Sequence, residues 1–214
     1  MSDPTLFPDD PSTAPLAERM RPKDLEDVVG QDSLVGEGGV IRSLLSRGDL
    51  PSMIFWGPPG SGKTTIARLL ADAAGAQMVT FSAVLSGVKE ARSVMAEARN
   101  LRRMEGRKTV LFVDEIHRFN RAQQDAFLPY VEAGDIVLGG ATPEHPSFEL
   151  NRALLSRVKV YILDPLAPEQ LLGILRQAVD DQDRGLGGAG SKVEFEALEL
   201  IATVAAGDAR QALN

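Results

Sequence analysis

Cysteine is absent from the chain, and histidine is limited to His117 and His145. Disulfide bonds and thiolate metal sites are therefore excluded, and two histidines are too few for most zinc centres. The sequence also lacks a continuous apolar run of about 18 residues, so a membrane-spanning helix is not expected. The expected location is the cytoplasm.

Positive charge is in deficit, since 23 lysines and arginines face 30 acidic residues for a net charge of −7. This balance argues against a uniformly basic nucleic-acid binder but leaves room for a local basic surface. Two interpretations stay open for one basic cluster: a solvent-facing helix end before Gly106, which is favoured, or a DNA contact. The cluster comprises Arg99, Arg102, Arg103, Arg107 and Lys108.

The most informative segment follows an apolar stretch at Met53–Trp56 and precedes an amphipathic helix. It matches G-x-x-x-x-G-K-[ST], in which glycines let backbone N–H groups surround phosphates, the lysine reaches the β and γ phosphates, and the next hydroxyl binds Mg²⁺. The segment predicts binding of ATP with Mg²⁺. Its residues are Gly57, Pro58, Pro59, Gly60, Ser61, Gly62, Lys63, Thr64 and Thr65.

A second segment, Val110–Val113, is an apolar strand that ends in Asp114 and Glu115. Ligands bind at the carboxyl ends of strands in α/β sheets. We expect Asp114 to bind Mg²⁺ and Glu115 to activate the attacking water. A dedicated base beside the metal ligand favours hydrolysis over phosphoryl transfer to a second substrate.

Five short apolar strands alternate with helices, which predicts an α/β fold with a parallel five-stranded sheet flanked by helices. The strands are expected at residues 53–56, 78–81, 109–113, 136–139 and 158–163, with helices at about 88–104 and 121–131. After Asp164-Pro165 only helical patterns follow, which predicts a small helical lid. We expect a disordered leader (1–15), a nucleotide-binding domain (16–165) and an incomplete lid (166–214).

Three further polar residues are candidates for sensing the nucleotide. Thr142 follows the strand predicted at 136–139, although ordinary turn chemistry beside Pro143 explains it equally well. Arg157 precedes the last strand and is expected near the ligand-binding edge, or else caps a helix. Arg210 opens a helix, where a cation opposes the helix dipole and a phosphate partner would explain it.

These motifs together resemble an AAA+ ATPase over nearly the whole chain. Three segments are more specific, and resemble the replication-associated recombination protein A family: Leu16–Gln31, Asp114–Pro129 and Pro146–Asn151. The resemblance implies a DNA-dependent ATPase that acts in replication-fork maintenance, recombination and DNA repair. It also implies a homo-oligomer, a tetramer assembled through a C-terminal region beyond this sequence.

The same resemblance implies individual roles. Thr142 corresponds to the first sensor, Arg157 to an arginine finger that acts on a neighbouring subunit, and Arg210 to the second sensor. Four residues correspond to the surroundings of the adenine: Met20, Arg21, Val28 and Val29. The implied partners are DNA forks, ends or junctions between single and double strands, together with single-stranded-DNA-binding protein and the replication machinery.

The sequence departs from the family pattern at Pro143 and His145, where a threonine and an asparagine are usual, and at Tyr130, where histidine is more common. We favour a non-catalytic interpretation of His117, because Glu115 already serves the water. As a hypothesis, Arg118 and Arg121 couple DNA to hydrolysis.

Two other functional classes stay open. One is a clamp-loader-like or branch-migration subunit whose nucleotide state gates partner binding. The other is a P-loop kinase for a small metabolite, which the pair Arg157 and Arg210 with a helical lid disfavours.

Overall fold

The computed structural model describes residues 14–83, 88–189 and 193–214. These residues form two compact units, one of Lys23–Pro165 and one that combines Leu166–Asn214 with the N-terminal residues through Pro22. We call them the sheet unit and the helical unit. The predicted leader at 1–15 lies, through residue 13, outside the described residues. None of the described helices is both long and apolar enough to cross a lipid bilayer.

Within the described residues, the sheet unit contains five parallel strands in the order β2-β3-β4-β1-β5. The order places β4 between β1 and β3. This arrangement confirms the predicted α/β class with a parallel sheet flanked by helices. The strands are β1 (Met53–Trp56), β2 (Gln77–Ser82), β3 (Thr109–Asp114), β4 (Val137–Thr142) and β5 (Lys159–Ile162).

Short helices precede and follow the strands in the sheet unit. They are α2 (Asp32–Val35), α3 (Val40–Ser46), α4 (Lys63–Ala73), α5 (Val88–Glu105), α6 (Arg121–Asp125), α7 (Leu128–Glu132), α8 (Pro146–Glu149) and α9 (Arg152–Leu155). The helix predicted over 121–131 is thus divided in two. Pro129 explains the break, because it lacks the N–H that would bond to the carbonyl of Asp125, and it fits only in the first turn of α7.

Both faces of the central strands β1, β3 and β4 are buried, as expected when helices cover a parallel sheet, whereas Val160 and Ile162 of the edge strand β5 are exposed. Neighbouring residues of one strand enter opposite cores, so Phe112 packs on one face and Leu111 on the other. On the first face, Ile66 and Leu70 of α4 pack against the strands. On the second face, Met95 of α5 does so.

The helical unit contains α1 (Leu16–Arg19), α10 (Pro168–Asp180), α11 (Phe195–Val204) and α12 (Ala209–Leu213). Its core includes Leu171, Leu175 and Leu198. Residues 16–22, which we expected in the first domain, lie in this unit because α1 packs against α12 and the Arg19 guanidinium donates to the carbonyl oxygen of Gly185.

Strand β4 carries two adjacent glycines that leave room for neighbouring side chains. A Cβ on Gly140 would lie 2.6 Å from Cδ1 of Ile54 and 3.1 Å from Cδ1 of Ile116, both fully buried. Atoms this close must move, and the surrounding core has little free space. The size of residue 140 therefore controls how the segment after β3 packs on β4.

We expect Gly140→Ala to lower the free energy of unfolding of the sheet unit by about 1–3 kcal/mol, the usual cost of overpacking a core. Urea unfolding followed by the fluorescence of Trp56, the only tryptophan in the chain, measures this. Gly173→Ala in α10 is the control, because an added Cβ there meets nothing within 4 Å. An unchanged unfolding midpoint for Gly140→Ala would contradict the packing argument.

Candidate functional site

The phosphate-binding loop runs from the end of β1 into α4. Gly60 and Gly62 adopt φ values of 68° and 99°, in the left-handed region that favours glycine. Gly57 approaches the chain that follows β5 so closely that a Cβ would lie 2.4 Å from the carbonyl oxygen of Leu163. The glycines of the motif are thus required by backbone geometry, as the sequence predicted.

Lys63 lies at the start of α4, and its ammonium donates to the carbonyl oxygens of Gly57 and Pro58, each at 2.7 Å. The charge is therefore held inside the curve of the loop, where phosphate oxygens can take the place of these carbonyls as acceptors. Thr64 follows in the first turn and is half-buried. The loop and the helix start together form a site for a polyanion.

Asp114 is the last residue of β3, and Glu115 follows it with φ 56° and ψ 41°. A non-glycine residue in this left-handed region costs roughly 1–2 kcal/mol, and such strain persists where the surrounding structure enforces it. The N–H of Glu115 donates to Oδ1 of Asp114 at 3.1 Å. The carboxylate of Asp114 thus holds the backbone at the turn that Glu115 makes.

Thr142 is the last residue of β4, whereas the sequence predicted that the strand ended at 139. The prediction was wrong because Gly139, Gly140 and Ala141 have little strand propensity, although their small size is what the packing of β4 requires. Thr142 is fully buried, accepts from the N–H of Glu144 at 3.0 Å, and lies within 3.2 Å of Nδ1 of His117. Its position opposite Trp56 of β1 puts the hydroxyl between the loop and the acids.

Arg157 does not lie at the ligand-binding edge, contrary to our expectation. It precedes β5, and Lys159 pairs with Met53, so Arg157 is at the amino ends of the strands. The four residues of β5 separate the two edges by about 13 Å. Its guanidinium is exposed, contacts Glu132 and donates to the carbonyl oxygen of Ala153 at 2.7 Å.

The remaining predicted site residues divide between the two units. Val28 packs against the first core of the sheet unit, and Val29 is 37% exposed. Met20, Arg21 and Arg210 belong to the helical unit. Met20 is buried, Arg21 contacts Glu18, and Arg210 lies exposed in α12. The roles that the resemblance implies for these residues stay predictions.

Gln31 is only 2% exposed, and no role was predicted for it from the sequence. Its amide donates to the carbonyl oxygens of Asp164, at 2.8 Å, and Ser61, at 3.4 Å, and accepts from the N–H of Asp164 at 3.2 Å. Gln31 therefore connects the phosphate-binding loop to the chain after β5. A single buried amide produces no recognisable sequence pattern. The segment Val29-Gly30-Gln31, which resembles the family, was the one indication that Gln31 matters.

Two of the departures from the family pattern, Pro143 and His145, lie in the loop after β4 and contact Trp56. The Trp56 indole N–H donates to the carbonyl oxygen of Pro143 at 3.2 Å, and the His145 ring meets the edge of the Trp56 ring at a centroid distance of 4.5 Å. Nδ1 of His145 accepts from the N–H of Ser147. Pro143 and His145 thus pack on the residue that precedes the phosphate-binding loop.

The third departure, Tyr130, contacts the basic cluster. The Arg99 guanidinium lies 4.4 Å from the centroid of the Tyr130 ring and pairs with Asp135 at 2.7 Å. The hydrogen bond to Asp135 raises the pKa of Arg99. Arg99 therefore has structural partners within the protein.

Among the residues that the structure describes, three or more His, Cys, Asp or Glu side chains do not converge on a point that could hold a metal ion. Mg²⁺ commonly takes one or two protein ligands and completes its shell with water and phosphate oxygens. The hydroxyl of Thr64 and the carboxylate of Asp114 suit that role. The site fits a Mg²⁺ ion that arrives with a nucleotide.

Comparison with known proteins gives a family match. The model of the P-loop domain of the Holliday junction DNA helicase RuvB matches residues 20–156. The replication-associated recombination protein A of Escherichia coli K12 is 50% identical over 214 residues, which cover 100% of this chain and 48% of that protein. The ATPase WRNIP1 of Dictyostelium discoideum is 44% identical over 95% of this chain and 23% of its own length.

Solved structures show the same relationship. RuvB of Thermotoga maritima, a Holliday junction branch migration motor, is similar with a TM-score of 0.71 and 29% identity, over 91% of this chain and 63% of that one. The chain spans about half the length of the curated relatives of Haemophilus influenzae and Escherichia coli that it matches.

We expect Gly57→Ala to weaken nucleotide binding, because the new Cβ would force the loop away from Leu163. Overpacking costs about 1–3 kcal/mol, which corresponds to a loss of roughly tenfold or more in affinity if the displaced loop bears it. Titration with a fluorescent ADP analogue measures this. Gly48→Ala is the control: its φ of 70° adds backbone strain that Gly57 does not have, but an added Cβ there meets nothing within 4 Å, so it should retain affinity. Equal affinities in the two variants would contradict the argument.

Proposed function

Because the chain belongs to the family of RuvB-type P-loop domains, in its replication-associated recombination protein A branch, we propose that it is the catalytic region of a DNA-dependent AAA+ ATPase that acts at replication forks, in recombination and in DNA repair. One observation carries the proposal. Lys63, Asp114, Glu115 and Thr142 follow or end three adjacent strands at the same edge of the sheet.

In this proposal each residue has a distinct task in ATP hydrolysis. Lys63 leaves the carbonyls of its own loop and binds the β and γ phosphates, while Thr64 and Asp114 hold Mg²⁺. The ion supplies neutralisation of the negative charge that develops on the phosphates. Glu115 accepts a proton from the attacking water, and Thr142 serves as the first sensor of the bound nucleotide.

The position of Arg157 supports a role in trans. Since Arg157 lies at the amino edge of the sheet and its own phosphate-binding loop at the carboxyl edge, it is badly placed to serve its own nucleotide. Arg157 and its partner Glu132 are both exposed. A surface ion pair of this kind contributes little free energy, so Arg157 can leave it readily. An arginine that serves the site of a neighbouring subunit requires a homo-oligomer, which we propose to be a tetramer.

DNA is the proposed regulator of this ATPase, in the form of forks, ends or junctions between single and double strands. Arg118 and Arg121 are exposed and follow the catalytic acids by three and six residues. We assign them the coupling of DNA to hydrolysis. Single-stranded-DNA-binding protein and the replication machinery are the proposed protein partners, and the bacterial cytoplasm with its nucleoid the location.

We expect the complete protein to hydrolyse ATP and to do so faster with forked DNA. Lys63→Ala should lose nucleotide binding, whereas Glu115→Gln should bind ATP and lose hydrolysis by on the order of 10²–10⁴, the typical contribution of a general base. Steady-state phosphate release and nucleotide titration separate the two. Glu149→Gln, which neutralises an exposed acid away from the strand ends, is the charge-matched control.

Normal hydrolysis by Glu115→Gln would contradict the assignment of the base. Turnover that ignores DNA would favour the metabolite kinase, and turnover that needs a protein partner would favour the gating subunit. Reversal of charge at both Arg118 and Arg121 should remove the stimulation by DNA and leave basal turnover unchanged. Stimulation that survives the reversal would contradict the coupling role.

A mixture of inactive subunits tests the role of Arg157. Subunits with Lys63→Ala and subunits with Arg157→Ala should regain activity when mixed, because about one in four interfaces then combines an intact Lys63 with an intact Arg157 of the neighbour. Mixing Lys63→Ala with Glu115→Gln is the control, since both changes damage the same site and cannot complement. Absence of recovery in the first mixture, with subunit exchange verified, would contradict action in trans.

A further inference from the structure

A continuous chain of side chains joins Glu115 to Thr142 through His117. Nε2 of His117 lies 3.4 Å from Oε2 of Glu115, and Nδ1 of the same ring lies 3.2 Å from the hydroxyl oxygen of Thr142. The imidazole is 13% exposed and Thr142 is fully buried, whereas the Glu115 side chain is 37% exposed. The chain therefore runs from the protein interior to the carboxylate that faces the site.

The backbone holds His117 in this place. It lies in a single 3₁₀ turn, Ile116–Arg118, and Ile116 is fully buried in the second core. Cδ1 of Ile116 occupies the space above Gly140 of β4, 3.1 Å from where a Cβ would stand. Gly140 lies two residues before Thr142 in β4. Because Gly140 has no side chain, the turn Ile116–Arg118 can pack against the strand at this point.

The numbers of hydrogen-bond donors and acceptors on Thr142 and His117 limit how these side chains can pair. The Thr142 hydroxyl has one proton and two nearby acceptors, Nδ1 of His117 and the carbonyl oxygen of Glu144, each at 3.2 Å. A neutral imidazole has one N–H donor and one acceptor. If Thr142 donates to Nδ1 of a neutral ring, the proton of the ring is on Nε2, the nitrogen that lies 3.4 Å from Oε2 of Glu115. The direction of one buried hydroxyl therefore decides what the ring offers to the carboxylate.

We propose that His117 is a positioning residue that orients Glu115 toward the attacking water and couples this orientation to Thr142. The inference rests on the proposed ATPase function, in which Glu115 is the base and Thr142 is the sensor of the nucleotide. A base that is oriented by a third group is a general arrangement in enzymes. The bond that Nδ1 accepts strengthens the Nε2–H donor, so the hold on Glu115 depends on Thr142. His117 itself takes no proton from the water.

Two substitutions at residue 117 separate positioning from packing. His117→Gln keeps both functions, because the two ends of a glutamine amide can accept from Thr142 and donate to Glu115. His117→Leu fills similar space and removes both. We expect His117→Leu in the complete protein to lower kcat by on the order of 10–100-fold, the scale of a slightly misplaced catalytic group, with KM and ADP affinity unchanged. We expect His117→Gln to restore kcat to within a few-fold of the unmodified protein.

The coupling to Thr142 is tested by a double-mutant cycle on kcat. Thr142→Val and His117→Leu should together cost clearly less than the product of their separate effects, because both break the same chain. Multiplicative effects would overturn the coupling, and normal kcat in His117→Leu, or equal loss in His117→Gln and His117→Leu, would overturn the positioning role. These outcomes differ from a failure of the proposed function, in which the unmodified protein would not hydrolyse ATP or Glu115→Gln would be fully active.

Discussion

The close packing around β4 is the constraint on which the site depends. Its neighbours β1 and β3 carry the phosphate-binding loop and the two acids, so the side chains of β4 set what can lie between them. Gly139 faces Phe112, and Gly140 faces Ile54 and Ile116, at distances that exclude a Cβ without rearrangement. Only at Thr142, where the strand ends, does a polar group appear, and there it is fully buried. The packing of the apolar residues of β4 therefore fixes the position of Thr142 at its end.

Strain and hydrogen bonding act together at the end of β3. Glu115 adopts a left-handed conformation that a glutamate rarely takes, and the buried Ile116 immediately after it supplies the packing that enforces the turn. The N–H of Glu115 is satisfied by Asp114. The same turn begins the segment that brings His117 next to Thr142.

Much of this arrangement could be predicted from the sequence, because motifs with strict backbone requirements leave a clear pattern. The parallel sheet and the resemblance to the replication-associated recombination protein A family are confirmed. Lys63 and the two acids follow or end the strands that the motifs predicted, and their roles stay predictions. The predictions failed where tertiary packing overrides local preference. A Gly-Gly-Ala segment did not look like a strand, and Pro129 divided a helix that its neighbours favoured. Gln31 and His117 were missed as connectors, because a single buried polar side chain has no periodic signal.

The position of Arg157 at the amino edge of the sheet, which was not predicted from the sequence, has the most consequence for function. In a parallel sheet, residues that immediately precede a strand lie at the amino edge, whereas ligands bind at the carboxyl edge. An arginine before β5 thus lies away from its own phosphate-binding loop, whatever the details of its side chain. Arg157 is exposed at the surface, where it contacts Glu132, the carbonyl oxygen of Ala153 and the hydroxyl of Ser156. If Arg157 contributes to hydrolysis, the parallel sheet itself makes that contribution one between subunits, and ATP turnover then reports assembly as well as nucleotide.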